Sequence, residues 1–214
     1  MQIALFLYEG MTALDAIGPY EVLARMPGAE MRFVASTPGP KTTDAGLVLI
    51  ADASLDDVPT PDVILIPGSG EVPFLDDPVA VEWVRRAHET SRWTTSVCTG
   101  SLLLGAAGVL AGKRATSHWG ARDALSRFGA EPVAERVVVD GKVITAAGVS
   151  AGIDMALTLA ALEAGEDEAR ALQLVIEYDP QPPFHSGSYE TADAATRRRA
   201  TDILTGGVEV KSVG

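Results

Sequence analysis

The sequence predicts an α/β fold, a three-layer sandwich around a mostly parallel sheet. Three observations lead there. Ile3 to Leu7 is apolar throughout, Asp62 to Ile66 is apolar after its first residue, and Thr94 to Val97 is a short run ending in Val97; these have the two-sided character of strands covered on both faces. Segments with helical periodicity or an apolar helical composition separate them, so strands and helices alternate along the chain. The strands at 62–66 and 94–97 run straight into small residues, PGSG and CTGS, which suit tight turns at strand ends.

Ile3 to Leu7 reads as a buried strand, ended by Glu9-Gly10. Leu14 to Met26 reads as a helix interrupted near Pro19, since proline lacks the amide proton that a helix interior uses. Arg32 to Ser36 is a second strand, and 42–57 a small hairpin or excursion around Leu47-Val48-Leu49-Ile50. Asp62 to Ile66 is the next buried strand. Asp77-Pro78 opens a helix, with Asp as N-cap and Pro in the first turn. Val79, Trp83, Val84 and Ala87 then share one face, with Glu82, Arg85, Arg86 and Glu89 opposite. Thr94 to Val97 is a short strand, and Gly100 to Ala107 a buried helix of small and apolar residues. Val133 to Val139 and Lys142 to Ala146 read as strands joined at Asp140-Gly141. Helices follow over 150–163 and 166–178, then a loop at 180–187 and a last helix over 190–204. No repeat or linker interrupts this order, so 1–214 reads as one domain, with 190–214 as a C-terminal extension whose last ten residues are expected to be loose.

Composition narrows the function classes. The 214 residues are 47% hydrophobic and 21% charged, ordinary for a globular domain. Lys and Arg number 17 against 29 Asp and Glu, a net charge of −12. Nucleic-acid binding needs clustered cations, and Arg197-Arg198-Arg199 is the only basic run, so no nucleic-acid partner is expected. With Cys98 as the only cysteine, no intramolecular disulfide can form, which fits a reducing cytoplasm. The N-terminus lacks a basic signal-peptide region, and no apolar run reaches membrane-spanning length, so no membrane partner is expected.

In parallel α/β sheets, sites form at the carboxyl ends of strands. Cys98 stands at such an end, before a small-residue helix, where a nucleophile elbow forms. A helix N-terminus there would favour thiolate. A buried inert cysteine is as common on position alone; the strand end tips the reading toward function. Gly68-Ser69-Gly70 could present backbone N–H groups to an anion or could be a plain turn. Asp15 is either a helix cap or a site acid, the cap being the commoner role. His118 is the one histidine placed to face the strand ends; His88 and His185 read as incidental. Three scattered histidines and one cysteine give no metal-ligand spacing. GVLAGK at 108–113 fails as a phosphate loop, being one residue short and followed by Arg114.

PGSG, SVCTGSLLLGAAGVLAGKRATSHW and TAAGVSAGIDMAL together resemble the ThiJ/PfpI superfamily, which implies a class I glutamine amidotransferase-like fold with a nucleophile elbow. With LDAIGPYEVL, Cys98-Thr99-Gly100 and EYDPQPPFHSG, the chain most resembles the isonitrile hydratases within it, over residues 3–187. Thr99 stands where the peptidase branch has histidine, and Asp15 where the deglycase branch has glutamate. Transcription regulators of the superfamily share the CTGS and ATSHW blocks and add a helix-turn-helix region, for which a chain ending at Gly214 leaves no room. The resemblance implies a lyase that adds water to an isonitrile, giving an N-substituted formamide through a Cys98 thioimidate. It assigns catalysis to Cys98, Asp15 and Thr99. Cys98 thiolate would attack, protonated Asp15 would give the proton, and Thr99 would hold substrate or water. Gly68, Ser69, Gly70 and His118 would bind substrate. No cofactor and no metal are expected, and the protein is expected to be a cytoplasmic homodimer. A different cysteine-dependent hydrolase, a glyoxalase-like enzyme and a redox-sensing stress protein are the other activities the superfamily offers.

Overall fold

The computed structural model describes residues 1–205. The chain divides into two compact units, 1–177 and 178–214. In chain order the first unit runs β1 (Gln2–Phe6), α1 (Ala13–Leu23), β2 (Glu30–Ala35), β3 (Gly39–Thr42), β4 (Val48–Ala51), β5 (Ala53–Ser54), β6 (Val63–Ile66) and α2 (Pro78–Thr90). It continues with β7 (Trp93–Val97), α3 (Gly100–Ala106), β8 (Arg114–Ala115), β9 (Glu131–Pro132), β10 (Val137–Asp140), β11 (Val143–Ala146), α4 (Ala151–Ala164) and α5 (Glu166–Val175).

Seven strands form the central sheet in the order β10-β11-β7-β6-β1-β2-β5. Every neighbouring pair is parallel except β10 with β11 at one edge. β1, β6 and β7 lie in its centre, and Ile3, Leu5, Ile64, Leu65 and Val97 are sealed from solvent there. Helices α1, α4 and α5 pack together as one layer, and α2 packs with α3 as the other. This is the expected α/β sandwich.

Local chemistry explains the elements. Asp77 caps α2 as the sequence predicts, its Oδ1 accepting from Val79 and Ala80 N–H at 3.0 and 3.1 Å. Trp83 on the apolar face of α2 is buried and donates Nε1–H to Val58 O at 2.9 Å. Three expectations shift. Helix α1 runs through Pro19 without interruption, and the pyrrolidine packs against Gly152 of α4, where a Cβ would stand 2.9 Å from Pro19 Cγ. The strand expected at 133–139 begins only at Val137, as β10; 133–136 is not strand, and β9, just before it, pairs with β8. The β10–β11 turn falls one residue later than predicted: Asp140 still pairs with Val143, and Gly141, at φ +62°, makes the turn with Lys142.

The second unit holds the 180–187 loop and α6 (Ala194–Leu204), which begins at Asp193, whose Oδ1 accepts from Thr196 N–H at 2.8 Å. The expectation for the last residues falls, beyond 205, outside the described residues. Among the described residues, no helix is long and apolar enough to cross a membrane.

Candidate active site

The elbow is real. Cys98 follows β7 directly and adopts φ +58°, a left-handed conformation that is strained for a side chain with a Cβ. The surrounding residues fix it. Cys98 N–H donates to Ala146 O at 3.0 Å and to Ala147 O at 3.1 Å, beyond the end of β11. Its carbonyl accepts two buried hydroxyls, Ser101 Oγ at 3.1 Å and Ser117 Oγ at 2.9 Å. Two neighbours must be glycine. A Cβ on Gly100 would stand 2.3 Å from Ile66 O, and one on Gly68 would stand 2.5 Å from Thr99 N and 2.9 Å from Cys98 Cβ. The ends of β6 and β7 thus meet with no side chain between them.

Asp15 lies at the third position of α1 and is fully buried. It is not the cap: Thr12 holds that position. The Asp15 carboxyl turns away from the helix, and its Oδ2 accepts from Gly68 N–H at 3.0 Å, while Oδ1 has no hydrogen-bond partner. Burial dominates its titration and pushes its pKa up to about 7, against the lowering effect of the Gly68 N–H and the Cys98 thiol. The Cys98 thiol is driven well above the usual cysteine range, first by burial and then by the Asp15 charge; the Thr99 N–H opposes this only weakly.

That direction reverses the expectation of a thiolate stabilised by a helix N-terminus. Helix α3 has only seven residues, and Cys98 is only 5% exposed, so desolvation outweighs the dipole. The two groups titrate as a pair. Burial holds both groups toward their protonated forms.

The other expected residues divide. Thr99 is buried, but its hydroxyl is committed to the main chain of Ser69, donating to the carbonyl at 2.7 Å and accepting from the N–H at 2.8 Å. Its hydroxyl therefore braces the 67–70 turn, and what it offers the sulfur is its N–H. Gly68 and Ser69 differ from expectation for the same reason: their N–H groups already bond Asp15 and Thr99. Among the described residues no acceptor faces the N–H of Gly70, which is exposed and is the donor left for a ligand. His118 is half-buried, and burial lowers its pKa, so the ring is neutral at pH 7. Gly120 N–H donates to its Nδ1 at 3.2 Å, which puts the ring proton on Nε2. The ring packs against Gly148 and Trp119. His118 follows Ser117, whose hydroxyl clamps the elbow. No cluster of three or more His, Cys, Asp or Glu suited to a metal is found among the described residues.

Sequence reasoning missed two members. Tyr8, just past β1, is buried, and its hydroxyl donates to Pro67 O at 3.0 Å, bracing the same turn. Burial, with the nearby charges of Asp15 and Cys98, keeps the phenol protonated. Ser117 clamps the elbow from 19 residues away. Its only trace in the sequence is its place in the ATSHW block.

A mostly parallel sheet ends here in a strained cysteine elbow beside a buried carboxyl. The pattern of the DJ-1/PfpI family matches residues 1–162, and the chain belongs to that family. It is 45% identical over 209 residues to isonitrile hydratase of Pseudomonas putida, covering 95% of this chain and 92% of that protein. A crystal structure of a ThiJ/PfpI family protein from Pseudomonas syringae superposes with a TM-score of 0.92 at 39% identity, over 96% of this chain and 86% of that one. Drosophila melanogaster DJ-1beta, 21% identical, shares the fold with a TM-score of 0.74 over 82% of this chain and 97% of its own.

Proposed function

We propose that this protein is an isonitrile hydratase, a lyase that adds water to an isonitrile and releases an N-substituted formamide. The observation that carries the reading is the pairing of the one thiol with a buried carboxyl. An isonitrile R–N≡C asks for that pairing, because its terminal carbon must receive both a nucleophile and a proton. The likeness to the Pseudomonas putida enzyme supports it.

The reaction starts with the proton on Cys98 and the charge on Asp15. Sulfur attacks the terminal carbon as Asp15 takes the thiol proton and passes it to that carbon, leaving R–N=CH–S–Cys98, a thioimidate. Asp15, ionised again, takes a proton from water as the water oxygen bonds the same carbon. That proton goes to nitrogen, giving R–NH–CH(OH)–S–Cys98. The C–S bond then breaks, the hydroxyl proton returns to sulfur by way of Asp15, and R–NH–CHO leaves. One water is consumed, and nothing is oxidised or reduced, so the steps balance without a redox cofactor. Gly70 N–H would receive the developing charge, His118 Nε2–H would border the substrate, and Thr99, with Gly68 and Ser69, would hold the frame.

A redox-sensing role fits less well, because oxidation follows thiolate character and this thiol is held protonated. The reading takes 1–214 as one cytoplasmic unit working as a homodimer, supported by exposed apolar side chains such as Val48 and Ile50. A monomeric mass in light scattering would remove the dimer.

The test is turnover of a simple alkyl isonitrile, followed by proton NMR of the formamide. The wild-type protein should form the formamide. Cys98→Ala should fold and form none, since the change removes one small side chain. Absence of turnover in the wild type would sink the reading, and wild-type rates in Cys98→Ala would sink the covalent route.

A further inference from the structure

The β3–β4 hairpin is an excursion from the sheet, and the mechanism leaves it without a role. It is nonetheless tied to the loop between β1 and α1 along its length. Gly10 N–H donates to Thr42 O at 2.8 Å, Thr42 N–H to Glu9 Oε2 at 2.9 Å, and Asp44 N–H to Met11 O at 3.0 Å. At its turn, Asp44 Oδ2 accepts from Thr12 Oγ1 at 2.8 Å. Thr12 is the residue that opens α1; its N–H donates to Gly68 O at 2.8 Å, and its carbonyl accepts from Asp15 N–H at 3.2 Å. Gly68 N–H in turn donates to Asp15. An unbroken chain of hydrogen bonds therefore links Asp44 to the catalytic pair.

Asp44 is an exposed carboxylate, one hydrogen bond from the residue that opens α1. Its field reaches inward: it adds to the upward push on both Asp15 and Tyr8, after burial in each case. Asp44 acts on Asp15 together with the Gly68 N–H and the Cys98 thiol, whereas the groups that act on Cys98 are Asp15 and Thr99. On α4, which packs against α1, Asp154 is paired with Arg136 and Glu163 with Arg92, and neither contributes at Asp15.

Resting on the hydratase reading for the identity of the site, we propose that Asp44 is a specificity-determining residue: its carboxylate, held by Thr12 at the rim, admits neutral isonitriles and turns away those that carry a carboxylate. A negative rim repels an anionic substrate on approach and gives it no partner once inside, whereas a neutral alkyl isonitrile meets no penalty.

Asp44→Asn keeps an oxygen for the Thr12 hydroxyl and removes the charge. Alkylation of Cys98 by iodoacetate, set against neutral iodoacetamide of similar size, reads the charge without any need for isonitrile turnover. The iodoacetate-to-iodoacetamide rate ratio should rise about three- to fivefold in Asp44→Asn at low salt, the size expected for one unit charge several ångströms away in a watery rim. The rise should shrink at 0.5 M salt, which is enough to screen such a charge. With isonitriles, kcat/KM for a carboxylate-bearing substrate relative to a neutral one should rise by the same factor. If neither reagent labels Cys98, this isonitrile ratio decides. Ratios unchanged in Asp44→Asn and in Asp44→Ser would overturn the proposal. Loss of folding in both variants would also overturn it, by making Asp44 a structural residue. Should the alkylation ratio respond while the wild type turns over no isonitrile, the rim stands and the hydratase reading falls.

Discussion

β7 and β11 enter the sheet through one polar cluster and leave it through another, and the two clusters are built on opposite principles. At the entering edge every strong polar group is met. Lys142, just before β11, donates its ammonium to the carbonyls of His88 and Glu89 at the end of α2 and to Ser91 O. Thr94 bonds both His88 Nδ1 at 2.8 Å and Ser91 Oγ at 2.9 Å. Glu163 takes Arg92 at 2.7 Å and Trp93 Nε1–H at 2.5 Å. At the leaving edge stand a strained Cys98 and a buried acid with an unpartnered oxygen. The entering edge serves stability. The leaving edge gives up stability to hold two protonation states close in energy, and catalysis needs that closeness.

Asp15→Asn breaks the contrast most sharply. Asn still offers an oxygen to Gly68 N–H but can neither give nor take a proton, so turnover should fall at least about 100-fold. Stability should move the other way. A carboxyl whose folded pKa is raised to about 7 binds its proton more tightly folded than unfolded, so it costs stability as pH rises from about 4 through 7. At pH 8 the variant should therefore be more stable than the wild type, by up to about 4 kcal/mol for a shift of about three units, and the gain should vanish at pH 4. Urea denaturation at the two pH values checks both signs. A variant less stable at pH 8 would return Asp15 to a structural role.

Lys142→Met makes the opposite move with a smaller effect. It removes a charged donor from the end of α2 while keeping an apolar stem, and hydrogen bonds to charged groups contribute about 1.5–3 kcal/mol each. Since Lys142 is half-buried and its bonds are partly screened, the loss should be about 1–2 kcal/mol in urea denaturation. Turnover should stay within about twofold of wild type. A large loss of turnover with little loss of stability would mean that the two edges are coupled.

Much of this was legible in the sequence, because it is local. Apolar runs marked β1 and β6, Asp77-Pro78 marked the start of α2, and Cys98 between a strand and a small-residue helix marked the elbow. Asp15, Cys98 and Gly68 do meet. What sequence reading lost depends on distant partners. The Pro19 break does not occur, and the ring packs on Gly152, more than 130 residues away in sequence. Thr99 looked free to hold water because its Ser69 partner lies 30 residues away. The thiol was assigned the wrong direction because a local rule about helix ends was applied where burial, a property of the whole fold, is larger. Tyr8 and Asp44 carry no motif, and only the folded chain brings them to Asp15.

The central claim is that Cys98 and Asp15 work as one pair that is active when it holds a single proton. The pH dependence of kcat/KM for a neutral alkyl isonitrile tests it most directly, since that profile reports the ionisations of the free enzyme. The account predicts a rise through about pH 7, as Asp15 loses its proton, then a plateau across the mildly alkaline range while the thiol keeps its own. A profile flat from pH 5 to 9, or one that falls as Asp15 ionises, would contradict it.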